Sequence, residues 1–210
     1  ARDHGAAARS GRQALHEPAA ARGHRDTVSV TPREIVDFWS KVVGESRWYA
    51  VELALDDLIR QTYEKVWHEA RAGVSSAWED TAEGALALLI VLDQFPRNMF
   101  RGKLDAFASD AEARAVADRA VTRGLDLQIA PPLRQFFYLT FEHSENLDDQ
   151  NRSVALFGER MGKAHYTYPY ALEHRAEIAR FGRFPSRNKA LGRVSTAEEQ
   201  DYLSRKRAQL

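Results

Sequence analysis

The feature that most constrains the fold is a run of eight apolar residues, Ala85 to Leu92, with no polar side chain on any face. A helix needs about 20 such residues to cross a bilayer, so this run is too short for a membrane span. Periodicity alone does not separate strand from helix here, but the Ala and Leu content, a candidate cap at Thr81 and the helical neighbours favour a helix. Because all its faces are apolar, we expect this helix at the centre of the molecule.

Helix signals recur along the rest of the chain, and no convincing strand or glycine-rich phosphate loop accompanies them. Thr31-Pro32-Arg33-Glu34 joins an N-cap hydroxyl, a first-turn proline and a capping-box glutamate, which predicts a helix up to about Gly44. Residues 51–72 carry apolar side chains at three- and four-residue intervals, and Gly73 follows as a stop, so they predict a long amphipathic helix. The side chains at those intervals are Leu55, Leu58, Ile59, Tyr63, Val66 and Trp67.

Later segments carry similar signals. Ser109-Asp110-Ala111-Glu112 is a second capping box, which predicts a helix that ends before Gly124. The remaining predicted helices run from Pro131 to Tyr138, over about 146–162 and 169–181, and from a Ser195 or Thr196 cap to about Lys206.

One boundary is set by proline chemistry. Phe95 precedes Pro96, and a residue before proline is biased away from the helical region of backbone angles. The central helix is therefore predicted to stop near Gln94 and to present Arg97 and Asn98 from a turn.

These elements predict an all-α fold of about seven or eight helices, packed either as a compact multi-helix array or as stacked antiparallel pairs. The 210 residues suit one domain, which we place at residues 28–210. Residues 1–27 are rich in Ala, Arg, His and Gly and lack a hydrophobic period, so they are expected to form a disordered tail.

Composition excludes several classes of function. The 30 Lys and Arg residues balance the 30 Asp and Glu residues, so no overall field attracts nucleic acid or anionic lipid. The absence of cysteine excludes disulfides, thiolate metal sites and a cysteine nucleophile. We expect a cytoplasmic protein without a cofactor, a nucleic-acid partner or a membrane span.

A family resemblance follows from a set of motifs. Residues 95–98 and 184–188 both place Arg-Asn shortly after Phe-Pro, and the first pair completes the sequence Leu-Asp-Gln-Phe-Pro-Arg-Asn at residues 92–98. With the motifs that follow in order, the chain resembles the bacterial family called domain of unknown function 924 from about residue 32 to 205. The resemblance implies a fold similar to the tetratricopeptide-like α-α superhelix, and it implies no established activity. The later motifs include Phe100-Arg101-Gly102, Asp110, Phe141-Glu142, His143-Ser144-Glu145, Gln150, His174 and Leu191-Gly192-Arg193.

Two positions depart from the family pattern. Thr140 stands where the family usually has proline, and Ser186 stands where it usually has histidine. The second departure removes a titratable group from a polar motif and argues against an obligatory acid–base role at that position.

The first polar cluster follows the central helix and consists of Asp93, Gln94, Arg97, Asn98 and Arg101. Guanidinium groups bind carboxylates and phosphates bidentately, so these side chains are candidates for an anion site. Equally, Arg97 could pair with Asp93 and only fix the turn, since buried charges need partners.

The second cluster is Glu142-His143-Ser144-Glu145, which sets a titratable imidazole between carboxylates. His143, Glu145 and His174 are candidate acid–base residues. A Ser144 nucleophile is not favoured, because sequence neighbours seldom point at each other as a catalytic pair must. A metal would require His143, Glu145 and His174 to converge from separate helices, so no metal site is expected.

The third cluster, Arg183, Arg187, Asn188 and Arg193, lies before the last helix. Its Arg-Asn pair repeats the pair of the first cluster, and we predict that both turns face one pocket, which His174 could join. Two guanidinium groups held close need a counter-charge between them. The candidates are Asp93, Glu142 and Glu145, or a bound anion.

The leading hypothesis is a helical scaffold whose arginine-rich pocket binds an anionic small molecule or a peptide end. One alternative is an enzyme, a hydrolase or transferase that acts on an anionic substrate. Another is a protein-interaction module whose polar motifs are only structural. The sequence does not choose between these functions, nor does it give the oligomeric state.

Overall fold

The computed structural model of the chain describes residues 30–208, and that part contains eight helices and no strand. The all-α fold class and the number of helices are thus confirmed. The predicted tail over residues 1–27 lies outside the described residues, and the single domain and its tetratricopeptide-like arrangement stay predictions. The helices are α1 (residues 32–43), α2 (Leu53–Arg71), α3 (residues 82–99), α4 (Asp110–Thr122), α5 (Phe136–Glu142), α6 (residues 147–162), α7 (Tyr168–Phe181) and α8 (Ala197–Arg207).

Local caps begin several helices where the sequence predicts them. Thr31 and Thr196 each form a complete capping box, with Glu34 and Glu199 respectively. Thr81 accepts a hydrogen bond from the backbone of Gly84 at the start of α3. These starts depend on residues three positions apart, so the sequence alone is sufficient to predict them.

The central position of α3 is confirmed. Every residue from Ala85 to Leu92 is at most 2% exposed, and helices α1, α2, α4 and α5 contact α3. On α2, the predicted apolar face is buried except for Leu58, which is 46% exposed. The prediction for Leu58 is wrong because that residue lies at the edge of the apolar stripe, beyond the reach of the core.

The prediction that the central helix stops near Gln94 is wrong. The helix continues to Met99 through a π-helical turn at Ile90–Gln94, and Phe95 keeps helical angles (φ −57°, ψ −42°) although proline follows it. The packing of Phe95 outweighs its backbone bias, since its ring is fully buried and stacks 4.8 Å from the ring centre of Tyr63.

A hydroxyl from the residue before α4 compensates for the missing N–H of Pro96. In an α-helix that N–H would bond the carbonyl of Leu92, and here the hydroxyl of Ser109 donates to this carbonyl at 2.5 Å. The indole N–H of Trp67 in turn donates to Ser109 Oγ at 2.8 Å. Ser109 is therefore not free to cap α4, and although α4 begins at Asp110 as predicted, the predicted capping box is wrong.

The loop between α1 and α2 is fixed by aromatic contacts. Trp48 stacks on Trp39 with ring centres 6.4 Å apart, and its indole N–H donates to the carbonyl of Trp39 at 2.9 Å. The hydroxyl of the next residue, Tyr49, donates to Gln135 Oε1 at 2.8 Å, just before α5. These bonds hold Tyr49 beside the ends of α3 and α5.

Among residues 30–208, no helix is both long and apolar enough to cross a membrane.

Candidate functional site

Two hollows share Tyr49 and His143 as wall residues, and together we call them the cleft. The larger, the tyrosine hollow, has a volume of about 370 Å³. The smaller, the arginine hollow, has a volume of about 200 Å³. The tyrosine hollow is lined by Tyr49, Leu139, Glu142, His143, Tyr166, Thr167, Tyr170 and His174. The arginine hollow is lined by Trp48, Tyr49, Ala50, Gln94, Arg97, Asn98, Arg101 and His143.

His143 follows α5 and is held by the buried carboxylate of Asp93. Both oxygens of Asp93 lie 2.9 Å from His143 Nδ1, and Gln94 Nε2 donates to Asp93 Oδ2 at 2.6 Å. Burial alone would raise the pKa of Asp93, but the charge of Arg97 and the hydrogen bonds from His143 and Gln94 outweigh it and lower that pKa to about 2.

The ionised state of Asp93 fixes the tautomer of His143. An ionised carboxylate only accepts hydrogen bonds, so His143 donates through Nδ1–H and keeps its lone pair on Nε2. Burial, and then the charge of Arg97, lower the pKa of His143, so the imidazole is neutral at pH 7. Within residues 30–208 no side chain bonds Nε2, which leaves a base at the border of the two hollows.

The structure brings Arg97 and Arg187 to one carboxylate, Asp110, at the start of α4. Arg97 binds it bidentately at 3.0 and 3.1 Å, and Arg187 NH1 lies 3.6 Å from Asp110 Oδ2. The guanidinium of Arg187 also lies over the ring of Phe107 at 4.7 Å. Burial, and then the charge of Arg97, lower the pKa of Arg187 to about 10.

The arginines of the two Arg-Asn pairs are thus close together, but an acidic side chain already fills the gap between them. Of the three predicted counter-charges, Asp93 pairs with Arg97 at 3.0 Å, whereas Glu142 and Glu145 lie elsewhere. The main counter-charge is Asp110, which sequence reasoning placed only in a cap and a family motif. Arg187 does not line either hollow.

Glu142, the last residue of α5, is buried in the wall of the tyrosine hollow. Its Oε1 lies 3.1 Å from His174 Nδ1, while Oε2 has no hydrogen-bond partner in the described part of the chain. His174 Nδ1 also lies 2.8 Å from the carbonyl of Tyr170, so it carries the proton and donates.

Glu142 and His174 are both neutral at pH 7, although their separation is that of an ion pair. Burial, and then the charge of Asp93, raise the pKa of Glu142 to about 8. Burial lowers the pKa of His174 to about 4. The contact is therefore not an ion pair, because a carboxylic acid lies beside a neutral imidazole.

Asn98 and Arg101 line the arginine hollow and also serve the fold. Both bind Asp56 on α2, Asn98 through Nδ2 at 2.8 Å and Arg101 bidentately at 2.8 Å. The sequence offered no short-range signal for this partner, since Asp56 lies more than 40 residues before both side chains.

Three predicted residues of the third cluster bind carboxylates away from the cleft. Arg183 binds Glu199 bidentately at 2.6 and 2.9 Å, and Asn188 donates to the same carboxylate at 3.2 Å. Arg193 binds Glu145 bidentately at 2.7 and 2.9 Å. These pairs attach the segment before α8 and α8 itself to the rest of the fold.

Of the three acid–base candidates, His143 and His174 both line the tyrosine hollow. Glu145 lines neither hollow and binds Arg193, so the three do not converge. In residues 30–208 no three His, Cys, Asp or Glu side chains are grouped to hold a metal ion. Ser144 donates its hydroxyl to Asp149 at 2.6 Å and not to His143, so a serine nucleophile paired with that histidine is not formed.

Sequence reasoning missed the tyrosines of the cleft. Tyr166 precedes α7, and Tyr170 lies in the first turn of α7. Tyr49 lies in a loop more than 100 residues earlier in the sequence. The tyrosine-rich segment at 166–170 was visible in the sequence. Its approach to Tyr49 depends on how α5 and α7 pack, which local patterns do not encode.

Comparisons with known proteins agree with this fold and give no activity. A family model described as bacterial protein of unknown function, DUF924, matches residues 35–207. A solved structure of a protein of unknown function from Agrobacterium tumefaciens is 40% identical and superposes with a TM-score of 0.77. The match covers 82% of this chain and 96% of that one. No curated protein matches the sequence.

Proposed function

Because the chain belongs to the DUF924 family of bacterial proteins, whose function is unknown, we propose a function from the cleft itself: it binds a small molecule that carries an acidic group. The observation that carries this proposal is that Tyr49 and His143 line both hollows. One ligand can therefore contact the aromatic side chains of the tyrosine hollow and the guanidinium groups of the arginine hollow. Concave sites that combine aromatic walls with a few polar groups are typical of ligand binding.

The arginine hollow supplies hydrogen-bond donors for a carboxylate or phosphate, but it has little net charge. Arg97 is balanced by Asp93 and Asp110, and Arg101 is balanced by Asp56. Each guanidinium has five N–H donors, and Arg101 NH1 has no partner within residues 30–208. We therefore expect an anion to be recognised by hydrogen-bond geometry, with a modest affinity.

The test compares benzoate with its neutral analogue benzamide by isothermal titration calorimetry. Benzoate should bind more tightly, and Arg101→Lys should weaken benzoate by about tenfold, which corresponds to 1.4 kcal/mol, because lysine keeps the charge beside Asp56 but lacks the planar fork. Arg119→Lys is the matched control, since Arg119 binds Glu79 bidentately outside the cleft. Equal binding of benzoate and benzamide would contradict the proposal.

A second candidate function, acid–base catalysis on such a ligand, is supported by the Asp93–His143 pair. His143 Nε2 is a base, and the neutral Glu142 carboxyl is an acid on the same wall. The reaction class would be hydrolysis or group transfer, as the sequence suggested. Turnover of acidic esters by the wild type and none by His143→Gln would support it, whereas equal rates would exclude His143.

A purely structural interaction module remains the alternative without a ligand. It would leave the Glu142 carboxyl, the His143 imidazole and the surrounding tyrosines with no role in binding, and the benzoate titration would then show no saturable heat.

A further inference from the structure

We infer that the ligand also carries an amine, and that the tyrosine hollow binds its ammonium group against the Glu142 carboxylate. This inference rests on the proposed function and narrows it. The chemical class is a small molecule with a basic and an acidic group, such as an amino acid.

The first argument is the unsatisfied carboxyl oxygen. Glu142 is 3% exposed, and its Oε2 is buried without a hydrogen-bond partner among residues 30–208, although the side chain lines the hollow. Buried polar atoms in native proteins nearly always have a partner in protein, water or ligand. Because the side chain lines the hollow, a ligand there can supply the missing donor once the carboxyl group turns toward it.

The second argument is the charge around that oxygen. The titratable groups near Glu142 are Asp93 on α3, His143 after α5, His174 on α7 and Tyr49 in the loop after α1. Asp93 is an anion, and burial lowers the pKa of both histidines, so both are neutral at pH 7. Arg97 is already paired with Asp93 and Asp110, so no cation among residues 30–208 is left to pair with an ionised Glu142, and a ligand ammonium group would provide it.

The third argument is the aromatic wall. Tyr49, Tyr166 and Tyr170 line the hollow together with the two histidines. The faces of tyrosine rings attract cations. Burial raises the pKa of Tyr49 and Tyr166, so these phenols stay neutral and add no competing charge.

Proton linkage distinguishes an ammonium ligand from other ligands. Glu142 holds a proton at pH 7 in the free protein and must lose it to pair with a cation, so binding releases a proton to the buffer. Affinity for the cation therefore rises as the pH rises from 6 to 8. A neutral ligand or an anion would not release a proton from Glu142.

The experiment is isothermal titration calorimetry with benzylamine, which is protonated at neutral pH, and with benzyl alcohol as its neutral analogue. Titrations in phosphate and in Tris at pH 7 differ in buffer ionisation enthalpy and so report the protons released. We expect benzylammonium to bind at least about tenfold more tightly than benzyl alcohol, and to release about one proton at saturation.

Three variants test which side chains bind the ammonium group. Glu142→Gln is uncharged at every pH and should fold, because the native carboxyl is itself neutral, but it should lose the proton release and most of the binding. Glu177→Gln is the matched control, since Glu177 is a buried carboxyl on α7 that binds Lys206 and Tyr202 outside the cleft. Tyr170→Leu removes one ring from the hollow and should weaken benzylammonium more than benzoate, because only the cation is attracted by the face of the ring.

The outcomes separate this inference from the proposed function. Equal binding of benzylammonium and benzyl alcohol, binding without proton release, or an unchanged Glu142→Gln would overturn the ammonium site. If benzoate still bound and depended on Arg101, the proposed function would stand without it. If benzylammonium depended on Glu142 while benzoate did not bind, only the acidic half of the ligand would be wrong.

Discussion

Asp93 and Glu142 are both buried carboxyls close to His143, yet they have opposite protonation states at pH 7. Asp93 receives hydrogen bonds from Gln94 and His143 and lies 3.0 Å from Arg97. Glu142 has only the neutral His174 and lies near the negative charge of Asp93. Environments that move two pKa values apart are the means by which proteins obtain an acid and a base from similar side chains.

Replacement of Arg97 tests whether its first role is structural. Arg97→Ala would leave the buried Asp93 and the partly buried Asp110 without their cation, so we expect the free energy of unfolding to fall by about 3–5 kcal/mol. Urea denaturation measures the change. The control is Arg119→Ala, which breaks a surface pair with Glu79 and should cost less than about 1 kcal/mol. A loss for Arg97→Ala no larger than for the control would show that the charges are solvated.

The pH dependence of stability tests the protonation of Glu142. Its pKa rises from 4.5 to about 8 on folding, so the native state holds a proton that the unfolded chain releases. The stability that this provides is complete below about pH 4.5 and is lost as the pH rises to 8. His174, whose pKa falls from 6.5 to about 4, has the opposite effect, and its contribution is lost as the pH falls through that range.

Of these two contributions to stability, only that of Glu142 changes between pH 6.5 and 8. We therefore expect the free energy of unfolding of the wild type to decrease over that range, and we expect Glu142→Gln to remove most of the decrease. Urea denaturation at four pH values would measure both slopes. Identical slopes in the two proteins would mean that Glu142 is ionised in the native state.

At the scale of elements, the predictions that succeeded depend on neighbours in sequence, and those that failed depend on distant residues. Thr31 and Thr196 cap their helices because the partner glutamate lies three residues away. Ser109 has the same local pattern, but Trp67 and the Leu92 carbonyl compete for its hydroxyl. Neither partner is close to Ser109 in sequence, so no local pattern reveals them.

The same hydroxyl provides a test of how α2, α3 and α4 are joined. Ser109→Ala removes the donor to the Leu92 carbonyl and the acceptor of the Trp67 indole, both buried, and should cost about 1–3 kcal/mol of stability. Differential scanning calorimetry would detect the loss. Ser204→Ala is the comparison, because Ser204 bonds only the carbonyl of Gln200 on the exposed helix α8. Equal melting temperatures for the two variants would show that the buried bonds are not needed.

At the scale of the whole molecule, the sequence predicted the helices and the centre of the core better than it predicted the cleft. Local patterns identified Asp93, Arg97 and His143, all of which contribute to the cleft or its support. They could not place Tyr49 opposite Tyr166, because that contact depends on the packing of separate elements. They also could not show that Arg193 lies apart from the arginines of the cleft, because its partner Glu145 belongs to a loop that is distant in sequence.

The N-terminal segment is the simplest whole-molecule test. Residues 1–27 lack periodic apolar side chains, so their removal should leave the melting temperature unchanged. A decrease of more than a few degrees would show instead that this segment contacts the helices and is not a disordered tail.

The π-helical turn at Ile90–Gln94 also has an evolutionary consequence. Such a turn is wider than an α-helical one and behaves as a helix with one residue inserted. Each residue of an α-helix advances the side-chain direction by about 100°, so one insertion rotates every later side chain around the axis. Arg97 and Asn98 follow this turn directly, and deletion of one residue within it would swing both away from Asp110 and Asp56. A single codon gained or lost there would thus create or abolish the arginine hollow in one step, whereas point substitutions would have to change its side chains one at a time.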